Sequence, residues 1–200
     1  MKPARRFPII GLAASAGGPE ALASILARLP ADFPACLAVV QHVPVGFAEP
    51  IARFLRTTTS LEVLVATVRT EPRPGLVLVA PDDRHLVATA DRAFTPLDAP
   101  ALRGHRPSAT MLFQSLAAVF GPAAIGVVLS GIGDDVAAGL TEMRARGALT
   151  IAQDEASSSI WGMPRAAIEL GAAAETLPLS AIAERLILAV RLRLSTLEER

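Results

Sequence analysis

Three short segments of the chain place reactive side chains among small residues, and each directly follows an apolar run. Ser15 lies in Ala13-Ala14-Ser15-Ala16-Gly17-Gly18, His42 in Gln41-His42-Val43-Pro44, and two carboxylates in Ser130-Gly131-Ile132-Gly133-Asp134-Asp135. A hydroxyl, an imidazole and a carboxylate are the nucleophile, base and orienting group of a Ser–His–Asp hydrolase. The reaction that uses all three is acyl transfer through a covalent serine intermediate.

The serine segment has the small neighbours that a tight strand-to-helix turn needs if its hydroxyl is to project. The pattern is a degenerate nucleophile elbow, because Ala13 stands where the usual pattern has glycine. Three other interpretations stay open at this point. Ser15 caps the helix that follows, the two glycines cradle a phosphate, or the segment is only a turn.

The histidine and aspartate segments acquire meaning from their order along the chain. His42 ends a strand one βα unit after Ser15, and adjacent parallel strands lie about 4.8 Å apart. If these strands are neighbours, the ring lies within reach of the serine hydroxyl, and His85 and His105 are worse placed. Of the two aspartates, we expect one to cap the following helix and the other to orient the imidazole.

The elements that must position these residues alternate between apolar runs of strand length and segments of helical period. Strands are predicted over 7–14, 35–40, 123–129, 148–152 and 174–177, and helices after Gly18 and over 46–57, 107–120, 136–146, 164–170 and 180–194. The pattern predicts an α/β fold with a doubly wound, mainly parallel, Rossmann-like sheet flanked by helices. Segments 62–68, 76–80 and 85–89, separated by turns, predict an antiparallel hairpin insertion.

Composition restricts the class of protein. The chain has 200 residues, 52% hydrophobic and 19% charged, which predicts one folded domain over residues 1–194 with a polar tail over 195–200. Nineteen basic and nineteen acidic residues, with no Tyr and one Trp, argue against nucleic acid or an anionic membrane as partner. A single cysteine, Cys36, excludes an intrachain disulfide, and we expect it to be buried and inert.

The same inventory argues against a metal, a cofactor and a membrane span. The three histidines lie far apart in sequence, and no Cys-based zinc site is possible. Residues 107–133 carry no charge, but Gly121-Pro122 interrupts them, so a buried helix and strand are favoured over a membrane span. The N-terminal residues imitate a secretory signal, yet the short apolar run with Pro8 reads better as a buried strand. The cytoplasm is the expected location.

Six segments, in order, resemble the catalytic domain of CheB, the protein-glutamate methylesterase of bacterial chemotaxis. Besides the three above they are Ala80-Pro81-Asp82-Asp83-Arg84-His85, His105-Arg106-Pro107-Ser108, and Glu155-Ala156-Ser157 with Gly162-Met163-Pro164. The resemblance implies Ser15 as nucleophile, His42 as general base and Asp135 as the orienting aspartate. It also implies hydrolysis of glutamyl methyl esters on chemoreceptor helices, with release of methanol, and in some members deamidation of receptor glutamines, without a cofactor.

The chain departs from the family pattern in ways that bear on control and on the oxyanion site. Asp134 stands where many relatives have Asn, and Ala16 replaces a common Thr. For the oxyanion we expect the backbone N–H groups of Ala16 and Ile132. The elbow begins about fifteen residues from the start. We therefore expect either a fragment or a stand-alone catalytic domain without the usual receiver. A stand-alone domain would be controlled in some other way, with a separate regulatory protein as the candidate partner.

Two alternatives to catalysis use the same fold. In one alternative, the chain is a regulatory domain that binds the receptor without catalysis. In the other it binds a nucleotide, although the sequence lacks a full G-x-G-x-x-G motif and a P-loop lysine. For the esterase, the expected partner is a methylated chemoreceptor helix. Three arginines, Arg84, Arg103 and Arg106, are expected to border the groove that receives it, with solvated surface charge as the simpler interpretation.

Overall fold

The computed structural model describes residues 7–198, with side chains described as far as residue 195. Its strands are β1 (Ile9–Ala14), β2 (Cys36–Gln41), β3 (Glu62–Val65), β4 (Leu76–Val79), β5 (His85–Ala88), β6 (Phe94–Leu97), β7 (Ala124–Val128), β8 (Leu149–Gln153) and β9 (Glu175–Leu177). Its helices are α1 (Gly18–Leu26), α2 (Ala48–Arg56), α3 (Ala109–Phe120), α4 (Ala137–Ala145), α5 (Gly162–Glu169) and α6 (Leu179–Glu198).

Seven strands form one sheet in the order β3-β4-β2-β1-β7-β8-β9, and every neighbouring pair is parallel. All residues of β1, β2, β4 and β7 are buried, as expected for strands covered on both faces. The predicted doubly wound parallel sheet is therefore confirmed. β1 lies at its centre between β2 and β7, so the loops after these three strands meet at one edge.

Helices cover the two faces of the sheet in two sets. One apolar cluster joins the sheet to α1, α2 and α6 through residues such as Leu22, Leu55 and Leu186. The other joins it to α3, α4 and α5, and to the hairpin of β5 and β6.

Gly11 in β1 belongs to this second face, because a Cβ there would lie 2.7 Å from Leu116 Cδ1 and 2.8 Å from Phe113 Cε1. Helix α3 therefore approaches the central strand more closely than a side chain at residue 11 would permit.

The insertion differs from the prediction. β3 and β4 belong to the parallel sheet, and only β5 pairs antiparallel, with β6. β4 reads Leu-Val-Leu-Val and is buried throughout, which suits an interior position between β3 and β2. The sequence analysis missed β6, because Pro96 interrupts its strand signal; an edge strand tolerates that proline.

The final helix is longer than predicted. α6 continues to Glu198, beyond the predicted helix end at residue 194, and residues 199–200 lie outside the described part. The division into a domain over 1–194 and a polar tail over 195–200 stays a prediction. Within residues 7–198, no helix is long and apolar enough to cross a membrane, and the uncharged stretch divides into α3 and β7.

Candidate active site

Ser15 is the first residue after the central strand, and its backbone is held on both sides. Its N–H donates to the Ser130 carbonyl (3.0 Å), and its carbonyl accepts from Gly18 N–H (2.8 Å) and Gln41 Nε2 (2.8 Å). Gly17 has φ +73° and is the N-cap of α1 without a side-chain cap, so Ser15 does not cap this helix. The turn therefore fixes Ser15 at the edge of the sheet and leaves its side chain free of a capping role.

The loop after β7 approaches Ser15 closely. A Cβ on Gly131 would lie 2.7 Å from Ser15 Cβ and 2.4 Å from Met163 Sδ, so only glycine fits between these two side chains. Gly131 donates its N–H to the Ile160 carbonyl, and its carbonyl accepts from Met163 N–H. Met163 is fully buried. The family-like stretch around residue 163 thus anchors the loop that packs against Ser15.

His42 lies beside Ser15 across the β1–β2 pair and is bonded to Asp135. The register aligns Ala14 with Gln41, and His42 N–H donates to the Ala14 carbonyl (2.9 Å). His42 Nε2 lies 3.0 Å from Asp135 Oδ2, with 11% of the His42 side chain exposed and none of Asp135. An ionised carboxylate only accepts, so Nε2 carries the hydrogen and Nδ1 carries the lone pair. Nδ1 is buried and has no hydrogen-bond partner among the described residues.

Asp135 is supported by the N-terminus of α3. Its Oδ1 accepts from Ser108 Oγ (2.7 Å), and its Oδ2 accepts from Ala109 N–H (2.8 Å) as well as from His42. Burial alone would raise the pKa of this carboxyl. The hydrogen bonds from His42, Ser108 and the Ala109 amide outweigh burial and hold the pKa below its usual value. Asp135 is therefore ionised at neutral pH and able to stabilise a protonated imidazole.

The second aspartate has a different role from the one predicted. The N-cap of α4 is Val136, without a side-chain cap, so neither Asp134 nor Asp135 caps that helix. Asp134 is exposed and pairs with Arg103 (2.9 Å). Asp135 instead lies at the start of α3, whose N-cap Ser108 accepts from Met111 N–H. The capping prediction fails because the segment before α4 turns back toward a neighbouring helix.

The structure brings His105 into the site, which the sequence analysis did not expect. Its ring stacks on that of His42, with centroids 4.2 Å apart and an angle of 14° between the planes. Burial and the neighbouring His42 hold the pKa of His105 below its usual value. The backbone of His105 exchanges two hydrogen bonds with Leu102, which closes a tight loop. His105 thus limits how far the His42 ring can tilt.

His42, His105 and Asp135 each place one potential ligand atom within 4.8 Å of the others, as the donors of a metal centre would. The two rings are nearly parallel, so their lone pairs point side by side and do not converge on a common ion. Asp135 also already accepts three hydrogen bonds. The arrangement fits a base held by a carboxylate better than a metal site.

The remaining groups that the sequence analysis singled out are two backbone donors, the arginines and the cysteine. Neither the Ala16 nor the Ile132 N–H takes part in a hydrogen bond of residues 7–198, and Ile132 is 64% exposed. Arg103 and Arg106 are engaged by Asp134 and Asp83 (2.6 Å), so both are ordered by ion pairs within the chain. Cys36 is buried, and burial raises the pKa of its thiol to about 12, as an inert core cysteine requires.

Parallel strands that bring a serine and a histidine–aspartate pair to one edge define the chain as a doubly wound α/β protein with its functional groups at the carboxyl ends of the strands. Comparisons with known proteins identify the family. The sequence profile of the CheB methylesterase family matches residues 10–186. The chain therefore belongs to the CheB methylesterase family, as the resemblance predicted.

Similar proteins support the same assignment. The chain is 48% identical over 186 residues to protein-glutamate methylesterase FrzG of Myxococcus xanthus, covering 93% of this chain and 56% of the relative. It is 50% identical over 188 residues to protein-glutamate methylesterase/protein-glutamine glutaminase 3 of Anaeromyxobacter dehalogenans, covering 93% and 55%. The chain thus spans a little over half the length of these curated relatives.

A solved structure shares the whole fold. The crystal structure of the Thermotoga maritima CheB methylesterase catalytic domain superposes with a TM-score of 0.88 at 34% identity, covering 91% of this chain and 98% of that one. The described architecture therefore matches that domain over almost its whole length.

Proposed function

We propose that this chain is a serine esterase that removes methyl groups from glutamyl methyl esters of chemoreceptor helices. Ser15 serves as nucleophile, His42 as general base and Asp135 as the group that orients His42. The observation that carries the proposal is the pairing of His42 Nε2 with a fully buried, ionised Asp135, which leaves Nδ1 as an unpartnered acceptor among the described residues. The backbone of the same histidine is bonded to Ala14, the residue before Ser15. Membership in a family of protein-glutamate methylesterases gives the ester class.

In the first half of the reaction His42 Nδ1 accepts the Ser15 hydroxyl proton while Oγ attacks the ester carbonyl carbon. The resulting imidazolium is stabilised by the Asp135 carboxylate. When the C–O bond to the methoxy group breaks, Nδ1–H returns the proton and methanol leaves. A water molecule, deprotonated by the same nitrogen, then attacks the glutamyl-serine ester. Glutamate and free Ser15 are regenerated, so protons and electrons balance.

The oxyanion of each tetrahedral intermediate is assigned to the N–H groups of Ala16 and Ile132. Both are unused within the described residues, and they belong to the two loops that meet at Ser15. One such donor contributes about 3–4 kcal/mol to transition-state stabilisation. Because these are backbone groups, the absence of a hydroxyl at Ala16 removes no donor that this assignment uses.

The substrate assignment rests on the surface around Ser15. The loops after β2, β7 and β8 expose the apolar side chains Val45, Phe47, Ile132 and Ile160. A neutral glutamyl ester on a helix suits an apolar rim better than an ionised glutamate does. The same site would deamidate glutamine with ammonia as leaving group, the second activity in the name of the Anaeromyxobacter relative. We propose the cytoplasm as the location of this activity.

The proposal is tested by methanol release from a methylated chemoreceptor fragment. Ser15→Ala should reduce the rate by about six orders of magnitude, because the covalent step is lost and only binding and the oxyanion donors remain. Ser159→Ala is the matched control. It is an exposed serine whose Oγ lies 2.7 Å from where a Gly17 Cβ would be, and it should keep full activity. A folded Ser15→Ala variant that keeps more than about a hundredth of wild-type turnover contradicts the assignment of the nucleophile.

A fluorophosphonate probe separates an inactive site from a wrong substrate. Labelling of Ser15 without methanol release would show an assembled serine hydrolase that acts on a different ester. If Ser15 is not labelled and no methanol is released, the esterase proposal is contradicted and a regulatory domain is favoured.

A further inference from the structure

We propose that His85 is a positioning residue for the catalytic base, acting through Ser108 and Asp135; the inference rests on the proposed function only for its kinetic readout. His85 is the first residue of β5 and is completely buried. His85 forms no hydrogen bond with Ser15 or His42. His85 instead positions Ser108, the residue at the start of α3 that donates to Asp135.

The ring of His85 joins two segments by its two nitrogens. Nδ1 accepts from Ser108 N–H (3.1 Å), and Nε2 lies 3.1 Å from the Pro100 carbonyl. An amide only donates and a carbonyl only accepts, so the ring is the neutral tautomer with hydrogen on Nε2. Both nitrogens are used, and neither is left to bind a substrate.

Ser108 carries this constraint to Asp135. Its N–H is fixed by His85, and its Oγ donates to Asp135 Oδ1 (2.7 Å). The next amide, Ala109 N–H, donates to Asp135 Oδ2, the oxygen that also accepts from His42. A displacement of Ser108 would therefore move two of the three donors to the carboxylate at once. All of these groups are buried, so water cannot replace a lost donor without cost.

The segment between these groups explains why a histidine is needed. Residues 98–108 run between β6 and α3 and carry His105, which stacks on His42. Pro100 lies at the start of this segment and Ser108 at its end. The His85 ring bonds to both ends of this segment. It therefore fixes the loop whose His105 stacks on His42, and it fixes Ser108, which donates to Asp135.

Two substitutions of His85 test its two hydrogen bonds separately. In His85→Asn the amide oxygen occupies the position of Nδ1 and keeps an acceptor for Ser108 N–H. In His85→Gln the longer amide reaches toward Pro100, and the acceptor at the Nδ1 position is lost. We expect kcat for ester hydrolysis to fall about tenfold to 100-fold in His85→Gln, with KM little changed, and to stay near wild type in His85→Asn.

Ser115→Ala is the matched control for looser packing. Ser115 Oγ accepts from Ala88 N–H (2.9 Å), so it also joins β5 to α3 but has no bond toward Asp135. A merely structural role for His85 predicts equal losses in His85→Asn, His85→Gln and Ser115→Ala, each in proportion to the folded fraction measured by circular dichroism. Equal losses in the two His85 variants, or no loss in either, would overturn the proposal.

A nitrogen-15 NMR spectrum of the histidine rings tests the inference without any substrate. In the wild-type chain His42 should show hydrogen on Nε2 and a bare Nδ1. His85→Asn should keep this pattern, whereas His85→Gln should show mixed tautomers at His42. An unchanged His42 pattern in folded His85→Gln contradicts the positioning role. This readout remains valid if the chain fails to hydrolyse the methylated receptor.

Discussion

At the scale of single residues, the site depends on one buried carboxylate with three donors. Breaking a buried pair by removing one partner typically costs about 3–5 kcal/mol, because a charge is left uncompensated. Asp135 avoids this cost only while His42, Ser108 and the Ala109 amide all point at it. The orientation of the His42 ring, the proposed base, therefore depends on these few hydrogen bonds.

Asp135→Asn should have a smaller effect than the same change in many catalytic triads. The hydroxyl of Ser108 can reverse and accept from the new amide NH₂ at the Oδ1 position, which leaves the amide oxygen facing His42 and Ala109. The His42 tautomer is then retained, and only the charge that stabilises the imidazolium is lost. We expect kcat to fall about tenfold to 100-fold, whereas a wrong tautomer would cost about 10⁴-fold.

Steady-state kinetics on the methylated receptor fragment checks this prediction. Asp134→Asn is its control, because Asp134 is exposed and, among residues 7–198, forms an ion pair with Arg103 alone, so kcat should be unchanged. A loss near 10⁴-fold in folded Asp135→Asn would show that the Ser108 hydroxyl does not reverse.

At the scale of elements, the contact of α3 with α4 positions Asp135, since the aspartate precedes α4 and its partners begin α3. Gly139 permits this contact. A Cβ there would lie 2.7 Å from the Thr110 carbonyl oxygen and 2.8 Å from Phe113 Cβ. Backbone cannot yield as a flexible side chain does, so the helices would have to separate.

Gly139→Ala should lower the free energy of unfolding by up to about 2 kcal/mol. Overpacking costs typically about 1–3 kcal/mol, and the better helix propensity of alanine returns about 1 kcal/mol. Urea denaturation measures the result. Ala138→Gly, on the exposed side of the same helix, gives the propensity contribution alone. A Gly139→Ala variant more stable than wild type would contradict the close approach.

Elements also show how much the sequence could predict. The buried parallel strands were predicted because uninterrupted apolar runs such as Ala35–Val40 report burial on both faces directly. The place of Glu62–Val65 was not, since a short strand with alternating exposure reads the same in a parallel edge and in a hairpin. Pairing partners depend on the crossover of the chain, which no local pattern contains.

The candidate site follows the same division. Ser15 and His42 were placed together because each ends a buried strand, and Gln41–Ala14 pairing confirms that the strands are neighbours. His105, His85 and Ser108 were missed as partners because loops and a hairpin bring them in. Two signals were available. Ser108 precedes an apolar helical run, the signature of an N-cap, and all three residues lie in segments that resemble the CheB family.

At the scale of the whole molecule, acid should destabilise the fold. Besides Asp135, the pKa of Asp91 is lowered to about 2 by Thr89 and Arg69, and Arg56 lowers the pKa of Glu49. A carboxyl with a lowered pKa in the folded state contributes stability above its unfolded pKa, about 4. That contribution is lost as pH falls through the folded value.

His105 acts in the same direction at higher pH. Its pKa is lowered in the folded state, so the unfolded chain binds this proton more readily as pH falls below about 6.5. The urea midpoint should therefore decline from pH 7 to pH 5 and fall further toward pH 2. Asp135→Asn should flatten the lower part of this curve. A midpoint that rises below pH 4 would contradict the assigned directions.

The central place of β1 has a consequence for how the chain acquires its function. Ser15, His42 and Asp135 meet at strands that are adjacent in space, yet β1 pairs with β7 across more than a hundred residues of chain. Such non-local pairing is slow to form, because a long loop must close before its contacts reward it. In a refolding experiment, recovery of esterase activity would thus report completion of the entire sheet, and fragments that end before β7 would bind no mechanism-based probe.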